Sequence, residues 1–214
     1  MKTSKLTSIP SIRRLPSYLI LIQQAVDEGL DYISGTVIAQ ELELEPIQVR
    51  KDLALTGIMG KPRIGYSVKD LYMAINRFLH WDTEKKAGLI GTGNLGQALM
   101  GNQEFLKHGL KICAGFDVDP LKIGKNIHGI DVFSLNQLQE KTKEMGLTIA
   151  ILTVPPSEAQ VVAEQIVLAG ISAIWNFTNV KLKVPKSIIV QQEDLSSGYA
   201  VLSVKMGVFQ RRTN

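Results

Sequence analysis

The chain has 214 residues, of which 45% are hydrophobic and 21% charged, and its formal net charge is +4. This length accommodates two small domains, and the composition is that of a soluble globular protein rather than a disordered or fibrous one. The apolar runs are too short to span a bilayer and no apolar signal core begins the chain, so we expect a cytoplasmic protein. The single cysteine, Cys113, excludes an intrachain disulfide and a cysteine metal cluster, and no metal site is predicted.

The first eighty residues have the helical pattern of a DNA-binding head. Apolar residues with helical spacing predict a first helix over residues 15–28, with one face buried at Leu15, Leu19, Ile22 and Val26. Ser34 is placed to cap a second helix, and Pro46 suits the first turn of a third. The short spacing between the second and third helices predicts a helix-turn-helix.

The third helix of this segment has one apolar and one polar face. We expect apolar side chains to point inward at Ile47, Leu53 and Ala54. We expect the opposite face, with Gln48, Arg50 and Lys51, to enter a DNA groove. An all-helical substrate or dimerisation domain, in which Arg50 and Lys51 are merely solvated, is the alternative.

A glycine-rich basic segment over residues 57–66 follows and predicts the hairpin of a winged helix. Its basic side chains would meet phosphates or the minor groove. Ser67 and Asp70 have the spacing of a cap for the next helix, whose buried stripe is Leu71, Ile75, Phe78 and Leu79. The predicted DNA contacts of the whole head are Arg13, Arg14, Gln48, Arg50, Lys51, Lys61, Arg63 and Tyr66.

A dinucleotide-binding fingerprint begins the second part of the chain. An apolar strand over residues 86–90 is followed by the loop Gly91-Thr92-Gly93-Asn94-Leu95-Gly96 and by a predicted helix over residues 97–106. The glycines permit a tight turn, close approach of backbone N–H groups to a pyrophosphate and close helix packing. A second strand, over residues 112–116, ends at Asp117, whose carboxylate would accept hydrogen bonds from the adenosine ribose and repel a 2′-phosphate. The pattern predicts NAD(H) as cofactor, favoured over NADP(H).

The remaining residues alternate between strands and helices as a parallel sheet does. Strands are predicted over residues 148–154 and 171–177, and a helix over residues 157–169. Ligands of open α/β sheets bind at the carboxyl ends of the strands. Further cofactor contacts are therefore expected from Val118, Thr153, Val154, Pro155, Asn176, Phe177 and Thr178. No catalytic residue is predicted on this rim, since His108 and His128 are better explained as surface or loop residues; a fold that binds no nucleotide stays an alternative.

These patterns define an N-terminal winged-helix DNA-binding domain over residues 1–80 and a linker over residues 81–86. They place a Rossmann-type α/β domain with a doubly wound parallel sheet over residues 87–195 and leave a C-terminal segment over residues 196–214, for which a helix is implied only by the resemblance given below. A regulator that couples a dinucleotide to DNA is the leading interpretation, and no enzymatic activity is predicted. The alternative from another class is an NAD-dependent oxidoreductase whose first domain is a substrate or dimerisation module.

In order and spacing, these residues resemble the Rex family of redox-sensing transcriptional repressors over nearly the whole chain. The resemblance rests on residues 9–10, 48–53, 57–66, 91–96, 116–120, 154–155, 176–177, 184–185 and 194–196. It implies a homodimer that binds pseudo-palindromic double-stranded operator DNA and exchanges its C-terminal helices. It also implies release from DNA by NADH, with NAD+ a weaker competitor, through rotation of the two halves of the molecule.

Two positions depart from the family pattern at its switch. The family's tyrosine after the glycine loop is matched by Asn102, and its usual partner, an aspartate from the other subunit, is matched by Asp194. An arginine of the first helix that exchanges for this partner is matched by Ile20. A Rex paralogue that binds DNA but ignores the NADH/NAD+ ratio is therefore a further alternative.

Overall fold

The computed structural model describes residues 8–194 and 196–213, with the side chains of the last helix described up to residue 207. The chain divides between Thr83 and Glu84 into two compact units, here called the N-terminal unit and the C-terminal unit. The division falls within the segment predicted as a linker. The last two residues of that segment, Lys85 and Lys86, are not linker residues, because they already belong to the first strand of the C-terminal unit.

From residue 8 onward, the N-terminal unit contains four helices and a small two-stranded sheet. In chain order these elements are α1 (Ile9–Asp27), β1 (Tyr32–Ile33), α2 (Gly35–Glu41), α3 (Pro46–Ala54), β2 (Tyr66–Ser67) and α4 (Val68–Phe78). Strands β1 and β2 pair antiparallel, and the segment between α3 and β2 closes with a bridge between Lys61 and Gly65. This segment is the wing of a winged helix.

Local capping explains where these helices begin. The Ser34 side chain accepts a hydrogen bond from the backbone N–H of Val37 at the start of α2, and that of Ser67 accepts one from Asp70 at the start of α4. Pro46 occupies the first turn of α3, where its missing N–H is not needed. The three predicted starts are confirmed.

Helix α1 lies against α3 and α4, and together they bury the core of this unit. Three of the inward positions predicted for the helices are wrong: Val26, Ile47 and Ala54 are exposed. In α3 the buried positions are instead Val49, Asp52 and Leu53, which have the i, i+3, i+4 spacing of one helical face. Because Asp52 is charged, the spacing of apolar residues alone does not predict this buried face.

The C-terminal unit is a seven-stranded sheet with helices between its strands. Its first half contains β3 (Lys85–Ile90), α5 (Asn94–Met100), α6 (Glu104–Lys107), β4 (Leu110–Asp117), β5 (Asn126–Ile127) and β6 (Ile130–Ser134). A short 3-10 helix follows, and the second half contains α7 (Leu138–Met145), β7 (Ile149–Leu152), α8 (Ala159–Leu168), β8 (Ala173–Asn176), β9 (Ile189–Gln192) and α9 (Ser196–Thr213).

The strand order is β5-β6-β4-β3-β7-β8-β9, and every pairing is parallel except that of β5 with β6. This order, with the chain reversing direction across the sheet beside β3, is that of a doubly wound Rossmann-type fold. The predicted fold class is therefore confirmed. Strand β3 lies at the centre because Ala87, Leu89 and Ile90 are buried on both faces of the sheet.

Several element boundaries differ from the prediction. The helix predicted over residues 97–106 is two helices, α5 and α6, separated at Gly101. The strands and the helix predicted after residue 147 are each shorter at both ends. Among the described residues, no helix is long and apolar enough to cross a membrane.

Candidate functional sites

The glycine loop joins the carboxyl end of β3 to α5 and is held tightly against the sheet. Gly91 has a φ of 95°, a conformation that favours glycine, and its carbonyl oxygen accepts a hydrogen bond of 2.7 Å from the Thr153 hydroxyl. A Cβ at Gly96 would lie 2.2 Å from that same oxygen, so α5 packs at this distance only without a side chain there. At Gly93 nothing lies within 4 Å of an added Cβ, and the space above it faces the open rim.

Asp117 ends β4 beside this loop, and its side chain is 8% exposed. One carboxylate oxygen accepts hydrogen bonds from the N–H and the hydroxyl of Thr92 and from the Lys122 ammonium, and the other accepts from the N–H groups of Val118 and Asp119. Burial raises the pKa of Asp117, but these hydrogen bonds outweigh burial and hold the pKa below its ordinary value. The carboxylate is therefore ionised and fixed in place.

The loop and Asp117 border one cavity of about 670 Å³ at the carboxyl ends of the strands. Seven of the predicted cofactor residues line it: Gly91, Gly93, Asp117, Val118, Thr153, Val154 and Pro155. Its other walls are Ile90, Phe116, Asp119, Lys122, Leu135, Glu158, Val161, Val162 and Gln165. Four of these residues come from the start and first turns of α8: Glu158, Val161, Val162 and Gln165. No sequence motif indicates them, because only the packing of α8 over the sheet brings them to this rim.

The other predicted cofactor residues lie outside this cavity lining. Thr92 is buried against Asp117, whereas Asn94, Leu95 and Gly96 form the first turn of α5. Asn176 and Thr178 are buried at the end of β8, where the Asn176 side-chain oxygen accepts hydrogen bonds from the N–H and hydroxyl of Thr178. Phe177 follows and packs its ring against that of Trp175.

In the N-terminal unit, a fully buried carboxylate links the first and third helices. Asp52 of α3 accepts two hydrogen bonds from the Arg14 guanidinium, at 2.7 and 2.9 Å, and one of 2.6 Å from the Tyr18 hydroxyl. Gln48, one turn earlier in α3, donates to the same carboxylate at 2.8 Å. Burial raises the pKa of Asp52, but the donors outweigh burial and keep its pKa well below its ordinary value. Two predicted DNA contacts, Arg14 and Gln48, thus have their side chains engaged inside the unit.

Four of the remaining predicted DNA residues lie around one groove of the N-terminal unit. A groove of about 460 Å³ between α3, the start of α2 and the wing is lined by Arg50, Lys61 and Arg63, and Tyr66 forms part of its floor. Lys61 also donates a hydrogen bond of 2.8 Å to the Tyr32 hydroxyl. Arg13 and Lys51 are exposed on α1 and α3. The arrangement combines a helix surface with a basic hairpin, as nucleic-acid contacts require.

The positions that match the family switch are all accessible. Asn102 lies between α5 and α6, and its side-chain oxygen accepts a hydrogen bond from the N–H of Glu104. Asp194 precedes α9 and accepts hydrogen bonds from the N–H and hydroxyl of Ser196. Ile20 is 66% exposed on α1. Within the part of the chain that the structure describes, no cluster of three or more His, Cys, Asp or Glu residues could hold a metal ion.

In comparison with known proteins, each unit matches a family model over part of its length. Residues 7–54 match the model of a putative DNA-binding protein N-terminus, and residues 82–180 match that of a CoA-binding domain. A redox-sensing transcriptional repressor Rex from Treponema denticola is 61% identical over 96% of this chain and 98% of the relative. The chain belongs to the Rex family. A Rex repressor from Bacteroides fragilis is 38% identical over 90% of this chain and 88% of the relative.

Solved structures of a Rex-family repressor, RSP, have the same fold. RSP in complex with NAD+ and operator DNA superposes with a TM-score of 0.87 at 30% identity, covering 98% of each chain. RSP in complex with NADH superposes with a TM-score of 0.88 at 30% identity, covering 98% of this chain and 99% of RSP. The Rex relatives are transcriptional repressors, so the family assignment confirms that the chain is a regulator rather than an oxidoreductase.

Proposed function

We propose that this Rex-family chain is a cytoplasmic homodimeric repressor that binds operator DNA through its N-terminal unit and NAD(H) through its C-terminal unit, and that NADH releases it from DNA. The observation that carries the proposal is the convergence of the glycine loop, Asp117 and the 153–155 segment on one cavity. The basic groove between α3 and the wing supplies the second binding surface. The RSP complexes with NAD+, NADH and operator DNA support both assignments.

The proposed DNA contacts divide into direct and indirect ones. Arg50 and Lys51 of α3 would enter the major groove, and Lys61 and Arg63 of the wing would meet phosphates, as would Arg13. We propose that Arg14 acts by holding α3 against α1 through Asp52, and that Gln48 acts by orienting this carboxylate from within α3. Tyr66 would act by supporting the wing, since its ring lies 3.2 Å from the place of a Cβ on Gly60.

The proposed cofactor contacts follow from the cavity. Backbone N–H groups of the glycine loop at the start of α5 would bind the pyrophosphate, because helix N-termini attract anions. Asp117 would accept hydrogen bonds from the ribose, with Thr92 holding its orientation. Thr153, Val154 and Pro155 would border the dinucleotide, and Asn176, Phe177 and Thr178 would lie toward the nicotinamide.

Two glycine substitutions separate ligand binding from packing. We expect Gly93→Ala to leave thermal stability unchanged and to weaken NADH binding about tenfold or more, because nothing in the protein opposes its Cβ while a pyrophosphate would approach it. Gly96→Ala should lower both stability and NADH binding, because its Cβ would lie 2.2 Å from the Gly91 oxygen. Isothermal titration and melting curves check both variants. Full NADH affinity in Gly93→Ala would contradict the assignment of the loop to the pyrophosphate.

The proposed dimer uses α9. The side chains of this helix that the structure describes are exposed, and they include Tyr199, Val201, Leu202, Val204 and Met206. Apolar side chains grouped in this way are normally covered by another surface, and the family supplies a second copy of the chain as the partner. Asp194 would then approach the region of Asn102 in that copy. In sedimentation experiments the full chain should be a dimer, and the Leu202→Glu variant should dimerise more weakly.

Operator binding measured with and without dinucleotide tests the whole proposal. The full chain is titrated into labelled promoter fragments from its own genome at fixed salt, with no nucleotide, with NAD+ or with NADH, and fluorescence anisotropy reports binding. We expect tight binding to a specific fragment that NADH relieves more strongly than NAD+. Absence of any specific binding would overturn the proposal.

One observation favours a second outcome of the same experiment. Ile20 cannot pair with Asp194 as the arginine of the family pattern would, because its side chain has no charge and no donor, and Asn102 lacks the phenol hydroxyl that the pattern offers to the same aspartate. Specific binding that neither dinucleotide changes would identify a repressor whose switch is lost. In that case Asn102→Tyr combined with Ile20→Arg should restore relief by NADH.

A further inference from the structure

The carboxylate of Asp117 already has as many donors as it can accept. Three hydrogen bonds reach one oxygen, from the Thr92 N–H at 2.8 Å, the Thr92 hydroxyl at 2.7 Å and the Lys122 ammonium at 3.2 Å. Two reach the other oxygen, from the N–H groups of Val118 at 2.9 Å and Asp119 at 3.0 Å. A carboxylate offers about four lone-pair positions. These five donors already exceed the four positions, so a ribose hydroxyl can bind Asp117 only in place of one of them.

Lys122 is the donor that can leave. Two of the other groups are N–H groups of the backbone just after β4, and the other two belong to the fully buried Thr92 in the glycine loop. The Lys122 side chain is 32% exposed and carries its ammonium on a flexible stem. A partly exposed ion pair of this kind shifts an equilibrium by only about 1.5- to 5-fold, so a ligand can displace it.

We propose that Lys122 is a displaceable occupant of the ribose position, which gives way to the adenosine hydroxyls and also sets how strongly the site prefers a free 2′-hydroxyl over a 2′-phosphate. This inference rests on the proposed NAD(H) site. In the structure the ammonium lies between two carboxylates, 3.2 Å from Asp117 and 3.9 Å from Asp119. It thereby competes with NADH for Asp117.

The same ammonium has the opposite effect on a ligand with a 2′-phosphate. Three carboxylates, those of Asp117, Asp119 and Glu158, line the cavity, and among its described lining residues Lys122 is the sole cation. Once displaced from Asp117, the ammonium remains within reach of the 2′ position and offsets part of the repulsion between the phosphate and these acids. Lys122 therefore lowers the affinity for NADH and raises that for NADPH.

The experiment is a titration of the full chain and of Lys122→Met with NADH and with NADPH, followed by calorimetry. Methionine retains most of the apolar stem and removes the charge. We expect Lys122→Met to bind NADH about 1.5 to 5 times more tightly, the factor set by the lost ion pair, and to bind NADPH more weakly. A general structural role for Lys122 would move both affinities in the same direction.

Two further variants complete the design. Lys125→Met removes the same charge from the same turn at an exposed position and should leave the NADH-to-NADPH affinity ratio at its wild-type value. Lys122→Arg keeps a cation that can pair with Asp117 and should return both affinities toward wild type or beyond. A lower NADH affinity in Lys122→Met, or equal changes for both ligands, would overturn the inference. If the wild-type chain itself bound no NADH, the proposed function would fail instead.

Discussion

Each unit of this chain buries an aspartate on an element of its proposed binding region, yet the donors that hold the two carboxylates are of different kinds. Asp52 is held by long side chains, two of them on α1 and separated from it by more than thirty residues of sequence. Asp117 is held mainly by backbone N–H groups and by Thr92, and it borders a cavity.

This difference separates a structural carboxylate from a binding one. Because Asp52 has no exposed surface and joins two helices, its ionic hydrogen bonds fix where the DNA-facing side of α3 lies. The backbone and Thr92 donors of Asp117 are fixed by the strand and the loop, and the carboxylate borders the cavity proposed for the cofactor. The comparison predicts that substitutions at Asp52 act on folding and those at Asp117 act on ligand affinity.

Asp52→Ala tests the first half of this comparison and has the largest expected effect. It leaves the Arg14 guanidinium and the Tyr18 hydroxyl without their acceptor, and breaking a buried ion pair in this way destabilises by about 3 to 5 kcal/mol. We expect the lower end, because Arg14 is partly exposed. Urea unfolding of a Trp175→Phe background, in which Trp81 reports the N-terminal unit, measures the loss. Glu41→Ala removes an exposed acid and is the control; equal stability of the two variants would contradict a structural role.

Asp117→Ala tests the second half. We expect NADH binding to weaken by about 1.5 to 3 kcal/mol, because hydrogen bonds to a charged group are lost. Stability should fall less than in Asp52→Ala, since water can enter the open cavity and satisfy the exposed N–H groups. Calorimetric titration with NADH and urea unfolding followed by Trp175 provide the two values. Undiminished NADH affinity would remove Asp117 from the cofactor site.

Arg50→Ala sharpens the comparison within the N-terminal unit. Arg50 projects from the same helix as Asp52, but its side chain is exposed in the basic groove. Operator binding should weaken by about 1 to 3 kcal/mol with no change in unfolding. Lys51→Ala should behave similarly, whereas Asp52→Ala changes both quantities. A variant of Arg50 that binds its operator at wild-type strength would exclude this residue from the interface.

Much of this architecture can be predicted from local sequence. The contacts of Asp52 and Asp117 cannot, because they depend on tertiary packing or on the conformation of a particular turn. The caps Ser34, Pro46 and Ser67 and the glycine loop act within a few residues, so their effects are visible in the sequence. The role of Asp52 depends on Arg14 and Tyr18, which only the packing of α1 on α3 brings near it. The Lys122 contact with Asp117 spans only five residues, but it depends on the conformation of the turn after β4, which the sequence pattern does not specify.

The acid dependence of stability offers the last and most gradual way to compare the two carboxylates. Both have pKa values below the ordinary 3.8, so each contributes stability that is present above about pH 4 and is lost as the pH falls through the folded-state pKa. The pKa of Asp52 is lowered further, since the charged Arg14 guanidinium and the Tyr18 and Gln48 side chains donate to it, and the N-terminal unit should therefore lose more stability in acid. Single-tryptophan variants that retain Trp81 or Trp175 report the two units separately between pH 7 and pH 2.

Asp52→Asn keeps the shape but cannot titrate, and it should flatten the acid dependence of the N-terminal unit while leaving that of the C-terminal unit unchanged. Parallel acid curves for the two units in the wild type would show that side-chain and backbone donors hold their carboxylates equally.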